Sequence, residues 1–313
     1  MAVYPLRFMA ASAAAQTALV LLVALAATHI SSGMERTAIV FFISLTAVAG
    51  IGLYSGNCGI LSFGHVAFMG IAAYLSGILT MPVQMKQLTL PNLPEFLASA
   101  SFSFPASALI SVLFAMLVAL AVGLIIGRLD GSAATIATLG LLIIVHGVII
   151  GARDITRGAQ SFFGVPRETD IWVAAGACAL ALLVARWFRD SVPGLRLRAS
   201  REDAIAARST GVHIRRERLL AWVLSAGLVA LAGVVLGHFL GAFSPKKFYF
   251  VDTFFLLAML IVGGMSTVTG AVLGATLITV VTEMLRRLES GVELLGVQLP
   301  AVFGTTQIGI GLI

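Results

Sequence analysis

Charge is scarce in this chain. Asp, Glu, Lys and Arg together make up 11% of its 313 residues, where a soluble domain carries about a quarter. That shortage excludes an ordinary soluble globule. Cysteine is scarcer still. Cys58 and Cys178 are the only two, both in or beside apolar stretches, so neither a disulfide framework nor a C-x-x-C metal spacing exists and no metal site is expected. No G-x-x-x-x-G-K-[ST] loop is present to cradle a nucleotide phosphate. No basic stripe interleaved with aromatic residues occurs outside one short island, so nucleic acid is not an expected partner. No cluster of His, Asp and Glu gathers at one position in the sequence, and the chain is therefore not expected to be an enzyme.

What remains is apolar: 59% of the residues are hydrophobic. Several windows run about twenty residues almost without charge, the length a helix needs to cross ~30 Å of hydrocarbon. Lipid offers no partner to a free backbone N–H or C=O, so an all-α polytopic membrane bundle is expected. The hydropathy pattern predicts about ten spans, over residues 10–29, 38–55, 59–80, 105–127, 133–151, 171–187, 219–243, 253–265, 268–285 and 302 onward. The first follows Arg7 and is expected to be a retained span rather than a cleaved signal peptide, because many spans come after it. The last, Val302 to Ile313, is too short to cross, so its helix is expected to be incomplete here. One transmembrane domain over residues 1–313 is the expected organisation, with a cytoplasmic loop at 189–218.

That loop is the main departure from apolarity. Nine of the twenty Lys and Arg residues lie between Arg186 and Arg218. Short basic loops stay on the cytoplasmic side. Six predicted spans precede the loop, which puts the N-terminus and the turn at 128–130 on its side. Residues 81–104 and 152–170 fall on the opposite side. Lys246, Lys247, Arg286 and Arg287 run against this charge bias. Trp172, Trp187 and Trp222 all fall near predicted membrane boundaries, as interfacial aromatics do.

Inside the loop the pattern predicts a short helix. Ser200 with Asp203 reads as a capping arrangement, with Glu202 and Asp203 in the first turn where the helix dipole favours negative charge. Ala206 and Ala207 give a small-residue face, and Gly211 is a plausible stop. Such a helix either docks into a groove of another protein or lies along lipid headgroups. Physics alone leaves both open.

Glycine is plentiful, at 32 residues, and small residues let membrane helices approach closely. Ser62-x-Gly64 followed by Gly70 is echoed by Gly263-Gly264-x-Ser266 followed by Gly270 and Gly274, a spacing compatible with an internal repeat. A helix broken at glycine leaves backbone groups tolerated only where they line protein or water. Asn57, Ser62, Gly64, His65, Gly263, Gly264 and Ser266 are therefore candidates to border a translocation path, with buried packing as the alternative for His65. His146 and His238, inside apolar runs, read as hydrogen-bonded packing residues.

The string LRLRASREDAIAARSTGVHIRRERLLAW resembles the cytoplasmic coupling loop of the permease subunits of branched-chain amino-acid ABC importers, with Glu202, Asp203, Ala206, Ala207 and Gly211 meeting the E-D-x-x-A-A-x-x-x-G spacing. SGNCGILSFGHVAFMGIAAYLSGIL (55–79) resembles the glycine-rich second transmembrane region of that family. FFGVPRE (162–168) is similar to its external G-[IV]-P motif, and residues 241–275 follow its S-P then G-G-x-x-S/T-x-x-G pattern. The chain departs from the family where residues 156–161 lack a double glycine and where Asn57-Cys58-Gly59 stands in place of Gly-Gln. Both departures bear on the substrate more than on the fold.

The resemblance implies a permease subunit in the bacterial inner membrane. It implies two ATPase subunits that carry ATP and Mg, a second permease (as homodimer or heterodimer), a periplasmic solute-binding protein and surrounding membrane lipid. No cofactor is expected on this chain. Arg201, Glu202, Asp203, Ala206, Ala207 and Gly211 would be the ATPase-coupling residues. The cargo implied is a branched-chain or other hydrophobic amino acid; relatives also serve urea, short amides and small aromatic acids. The competing reading is an ion-coupled secondary transporter, for which Glu283 and Asp252 would be the available carboxylates.

Overall fold

The computed structural model describes residues 6–30, 32–289, 293–294 and 297–298. The chain runs through α1 (Leu6–Ile30), α2 (Ser32–Cys58), α3 (His65–Thr80), α4 (Val83–Thr89), α5 (Glu95–Ala98), α6 (Phe104–Ile126), α7 (Gly131–Gly151) and α8 (Arg153–Thr156). It continues through β1 (Phe162–Phe163), α9 (Ile171–Asp190), α10 (Val192–Glu202), α11 (Ala204–Ser209), α12 (Ile214–Leu240), β2 (Ala242–Phe243), α13 (Phe250–Gly263) and α14 (Val268–Glu289). A last pairing joins β3 (Glu293–Leu294) to β4 (Val297–Gln298). Strand is confined to these two-residue pairs among the described residues, and the fold is a helical membrane bundle.

α12 is the hub. It packs against α2, α3 and α6, and its sequence explains how. Small residues recur along it, and lipid supplies no hydrophobic drive between helices, so backbones must come close enough for dispersion to hold them. A methyl on Gly233 would sit 2.0 Å from the Met69 carbonyl oxygen, and one on Gly50 of α2 would sit 2.8 Å from Val229. Two polar side chains bind across the seams. Ser225 donates to the Gly50 carbonyl at 2.6 Å, and the Trp222 indole donates to the Ala119 carbonyl at 3.0 Å. Trp222 is therefore a core residue, buried among Tyr54, His65 and Phe68, and not an interfacial anchor. Trp172 and Trp187 are exposed, the arrangement an interfacial belt requires.

Among the described residues, six helices are long and apolar enough to cross a membrane, or seven if the bent pair α3–α4 counts as one span. The described residues therefore do not bear out the full ten. The expected span over 59–80 is helical only from His65; Gly59 has a left-handed φ of +73° and residues 59–64 run unwound to the helix start. α3 then bends by 119° into α4. The expected span over 253–265 is α13, whose 14 residues reach about 21 Å, short of the hydrocarbon thickness. The expected span over 10–29 falls within α1, Leu6–Ile30. The expected span from 302 onward lies outside the described residues.

The two ends of the bundle hold together as the charge pattern predicts. Arg218 pairs with Asp130, tying the 128–130 turn to the basic island. At the opposite end Asn92 donates to Asp154 at 3.1 Å, and β1 pairs antiparallel with β2, Phe162 opposite Phe243. That pairing joins the 162–168 motif to the start of the 241–275 stretch. Three of the four cations that run against the charge bias are neutralised in place: Lys247 by Asp252 at 2.6 Å, and Arg286 and Arg287 by Glu283 at 2.7 and 3.1 Å.

α13 and α14 fold back on each other through residues 264–267. Gly264 takes φ +93°, which a side chain rarely adopts. A methyl on Gly274 would lie 1.8 Å from the Met259 carbonyl oxygen, whereas one on Gly176 of α9 meets nothing within 4 Å. Gly274→Val is therefore expected to cost about 1–3 kcal/mol by overpacking and to lower the unfolding temperature of the detergent-purified protein by several degrees, a shift of about the size such energies give. Gly176→Val should leave the melt unchanged. Equal melting curves for the two variants would contradict the close packing of the hairpin.

Candidate functional site

The basic island folds into two short helices set against the ends of the transmembrane helices. α10 starts at Ser191, whose hydroxyl accepts from the Gly194 amide at 3.4 Å, with Pro193 in the first turn. Leu197 is fully buried and anchors it. The expected cap at Ser200 is not formed, because its hydroxyl turns back to the Leu197 carbonyl at 2.7 Å. The cap is Asp203, which accepts from the amides of Ile205 at 2.8 Å and Ala206 at 3.0 Å and starts α11. Glu202 therefore closes α10 instead of opening the second helix. Gly211, at φ +83°, ends the stub as expected.

The arginines of the island serve as caps for other helices. A helix leaves its last four carbonyls without partners, and the dipole makes that end negative. Arg201 reaches across to donate to the Gly56 carbonyl at 3.0 Å, near the end of α2. Arg215 donates to the Leu124 carbonyl of α6 at 3.1 Å, and Arg198 to the Arg189 carbonyl of α9 at 3.0 Å. Arg189 in turn binds the Ser266 carbonyl in the α13–α14 turn. Arg196 pairs with buried Glu217 at 3.2 Å, joining α10 to α12. The stub is thus fastened to several membrane helices at once while its outer face stays free. Ala207 is 5% exposed and faces in; Ile205 is 80% exposed and faces out. Ile205 is thus a large apolar side chain left exposed among alanines, a contrast that residue order alone did not single out.

The candidate path residues fall into two groups. Asn57 and Ser266 line the same small void of about 10 Å³, with Gly52 and Met265 beside them, room for about one water. Asn57 donates to the Leu53 carbonyl at 2.7 Å, and its Oδ1 is buried without a partner. α2 and the 264–267 turn touch so closely here that a methyl on Gly56 would lie 2.2 Å from the Met265 oxygen. Gly263 packs against Gly270 and Gly274 beside this turn, and Gly264 faces open space. The second group is Ser62, Gly64 and His65. Ser62 and His65 share a hydrogen bond of 2.7 Å, and His65 is fully buried against Trp222, ring centres 4.6 Å apart. Gly64 lies against Thr138 of α7, whose hydroxyl also receives the Phe63 amide at 3.2 Å. The two unwound segments, 59–64 and 264–267, therefore flank the end of α2, where Arg201 is attached.

At the opposite end, α2, α12, α13 and α14 enclose a vestibule of about 450 Å³. Phe255, Met259 and Val40 give it an apolar wall, Ser44 and Thr279 supply hydroxyls, and Arg36, Arg167 and Arg286 stand with Glu283 among its lining residues. Arg36 belongs to no motif, and Arg167 lies inside the FFGVPRE stretch without being singled out there. His238 and His146 prove to be packing residues: His238 shares a hydrogen bond with Thr80 at 3.0 Å, and His146 stacks on Tyr249 at 3.9 Å.

The family described as branched-chain amino acid transport system / permease component matches residues 33–299. The chain is 26% identical over 292 residues to the high-affinity branched-chain amino acid transport system permease protein LivM of Escherichia coli (strain K12), covering 82% of this chain and 64% of the relative. It is 25% identical over 241 residues to LivH of Salmonella typhimurium, 72% of this chain and 76% of that protein. It is also 29% identical over 168 residues to the autoinducer 2 import system permease protein LsrC of Salmonella typhi, 49% and 47% of the two chains. No solved structure matches. The chain spans 64% of the length of LivM. It belongs to this permease family.

The stub's geometry has a direct readout. Both native cysteines are buried, so background labelling is low. With Ile205 at 80% and Ala207 at 5% exposure, Ile205→Cys is expected to react with a membrane-impermeant maleimide at least tenfold faster than Ala207→Cys. Labelling should occur in inside-out vesicles and not in right-side-out ones; the reverse sidedness would invert the topology.

Proposed function

We propose that this member of the branched-chain amino acid permease family is the membrane-spanning subunit of an ATP-driven importer, carrying a branched-chain amino acid or a related small solute. The chain is a transport subunit and not an enzyme, and it has no phosphate-cradling loop of its own. ATP and Mg therefore belong to separate ATPase subunits. A second permease and a periplasmic solute-binding protein complete the assembly, in the bacterial inner membrane. The cargo is left as broad as its relatives, one of which is named for autoinducer 2 import.

The observation that supports this reading is the attachment of Arg201 to Gly56. The exposed face of the stub, with Glu202, Ile205 and Ala206, receives the ATPase. A push on that face travels through Arg201 into the end of α2 and the adjoining unwound segments. Those segments carry fewer backbone hydrogen bonds than a helix, so they yield before the helices do. Solute would enter through the vestibule at the opposite end, whose arginines suit a carboxylate and whose wall suits an aliphatic side chain.

The ion-coupled alternative is the weaker one. It needs carboxylates free to bind a cation in the membrane. Asp252 is paired with Lys247, and Glu283 with Arg286 and Arg287.

Two variants separate docking from transmission. Glu202→Lys with Ile205→Asp should abolish co-purification of the ATP-hydrolysing subunits and cut uptake at least tenfold in proteoliposomes. Arg201→Gln removes a charge-assisted hydrogen bond of about 1.5–3 kcal/mol. It should keep the ATPase subunits bound and hydrolysing while uptake falls about tenfold. Full uptake in both variants, with the complex intact, would defeat the coupling assignment.

A further inference from the structure

A second cavity lies on the island side. It measures about 690 Å³ and opens between the end of α6, the 127–130 turn and the start of α12. Arg128, Arg208, Arg215, Arg216 and Arg218 line it, against one carboxylate, Asp130. Asp130 is already taken by Arg218, and Arg215 is committed to the Leu124 carbonyl. Arg128, Arg208 and Arg216 are exposed, and none of their guanidinium groups has a hydrogen bond or ion pair with another described residue. The N-terminus of α12 faces the same cavity, and its N-cap residue, His213, provides no side-chain acceptor. Its dipole adds to the positive potential. So much uncompensated positive charge in one concavity calls for an anion.

The cavity's wall decides which anion. Leu124 lines it and is 48% exposed. Leu113, Leu117 and Leu120 continue from Leu124 along α6, exposed at 54%, 65% and 44%. Their spacing of three and four residues puts them on one helix face. The charged cavity therefore opens directly onto a lipid-facing apolar stripe leading into the membrane. A soluble anion or an acidic protein surface would use the arginines and ignore the stripe. A phospholipid uses both. Basic pockets between helices at the cytoplasmic surface suit anionic headgroups.

We propose that this cavity is a binding site for an anionic phospholipid, with the phosphate held by Arg128, Arg208 and Arg216 and an acyl chain laid along Leu124, Leu120, Leu117 and Leu113. The site is independent of the cargo and of the proposed coupling role. It places a lipid against the joint between the stub and α12, next to Arg208 of α11.

Native mass spectrometry of the full chain in detergent, with added phosphatidylglycerol or phosphatidylcholine, tests this. Phosphatidylglycerol should remain bound in preference to phosphatidylcholine. Arg128→Ala with Arg216→Ala should weaken its retention about fivefold per arginine, and Arg128→Lys with Arg216→Lys should restore most of it. Both arginines are exposed and unpaired, so an unchanged gel-filtration profile is expected and checks the fold. Three results would overturn the proposal: equal retention of the two lipids, no loss in the double alanine variant, or displacement of phosphatidylglycerol by inorganic phosphate at millimolar concentration. Displacement by the co-purified ATPase subunits would also overturn it, by showing a protein-docking surface.

Discussion

The bundle depends on how closely its backbones approach. Lipid is as apolar as leucine, so burying leucine against leucine gains little in a membrane. Cohesion has to come from dispersion at short range and from hydrogen bonds that water cannot contest. The contacts of Gly233 with Met69, Gly50 with Val229, and Gly274 with Met259 meet the first need. Ser225 to Gly50 and Trp222 to Ala119 meet the second. The same closeness sets the rigidity of the assembly, because helices in backbone contact have nowhere to slide. Motion is directed to the places where regular helix is absent.

Those places are 59–64 and 264–267, and both adjoin the end of α2. The basic island closes around them. Its arginines perform two tasks with one chemistry. They supply donors to carbonyls that would otherwise lack partners at the helix ends, and they bind the loop to α2, α6, α9 and the α13–α14 turn. A loop attached only by its own ends would flex independently of the bundle. This one is hydrogen-bonded to the helices it caps. The opposite end of the molecule handles charge differently: Lys247, Arg286 and Arg287 pair with nearby carboxylates, Lys86 and Arg157 donate to backbone carbonyls, and Arg36 and Arg167 line the vestibule.

Much of the architecture was readable from residue order, for reasons of range. Hydropathy located each long helix to within a few residues, because burial in lipid is a property of the segment itself. The left-handed Gly211 is a local feature and was readable, whereas the cap fell on Asp203 and not on Ser200, because the Ser200 hydroxyl turns back to the Leu197 carbonyl. Individual span lengths were harder to read, because composition does not distinguish a 14-residue apolar helix from part of a longer one, nor a helix from an unwound apolar stretch such as 59–64. Trp222 resembled an interfacial residue by position and proved to be core, because α12 sits at the centre of the bundle. What stayed hidden was assembled from distant segments. Arg201 and Gly56 are 145 positions apart, and the vestibule draws on four helices.

The central place of α12 has a consequence for biogenesis. Its partners α2, α3 and α6 are all synthesised before it. While the ribosome is still translating the island, those three helices sit in the bilayer around an unfilled groove, their glycine seams wetted by lipid tails. Only when Leu240 has left the translocon does the keystone arrive. The early helices must stay gathered until then, and any delay at the island prolongs their exposure to quality-control proteases.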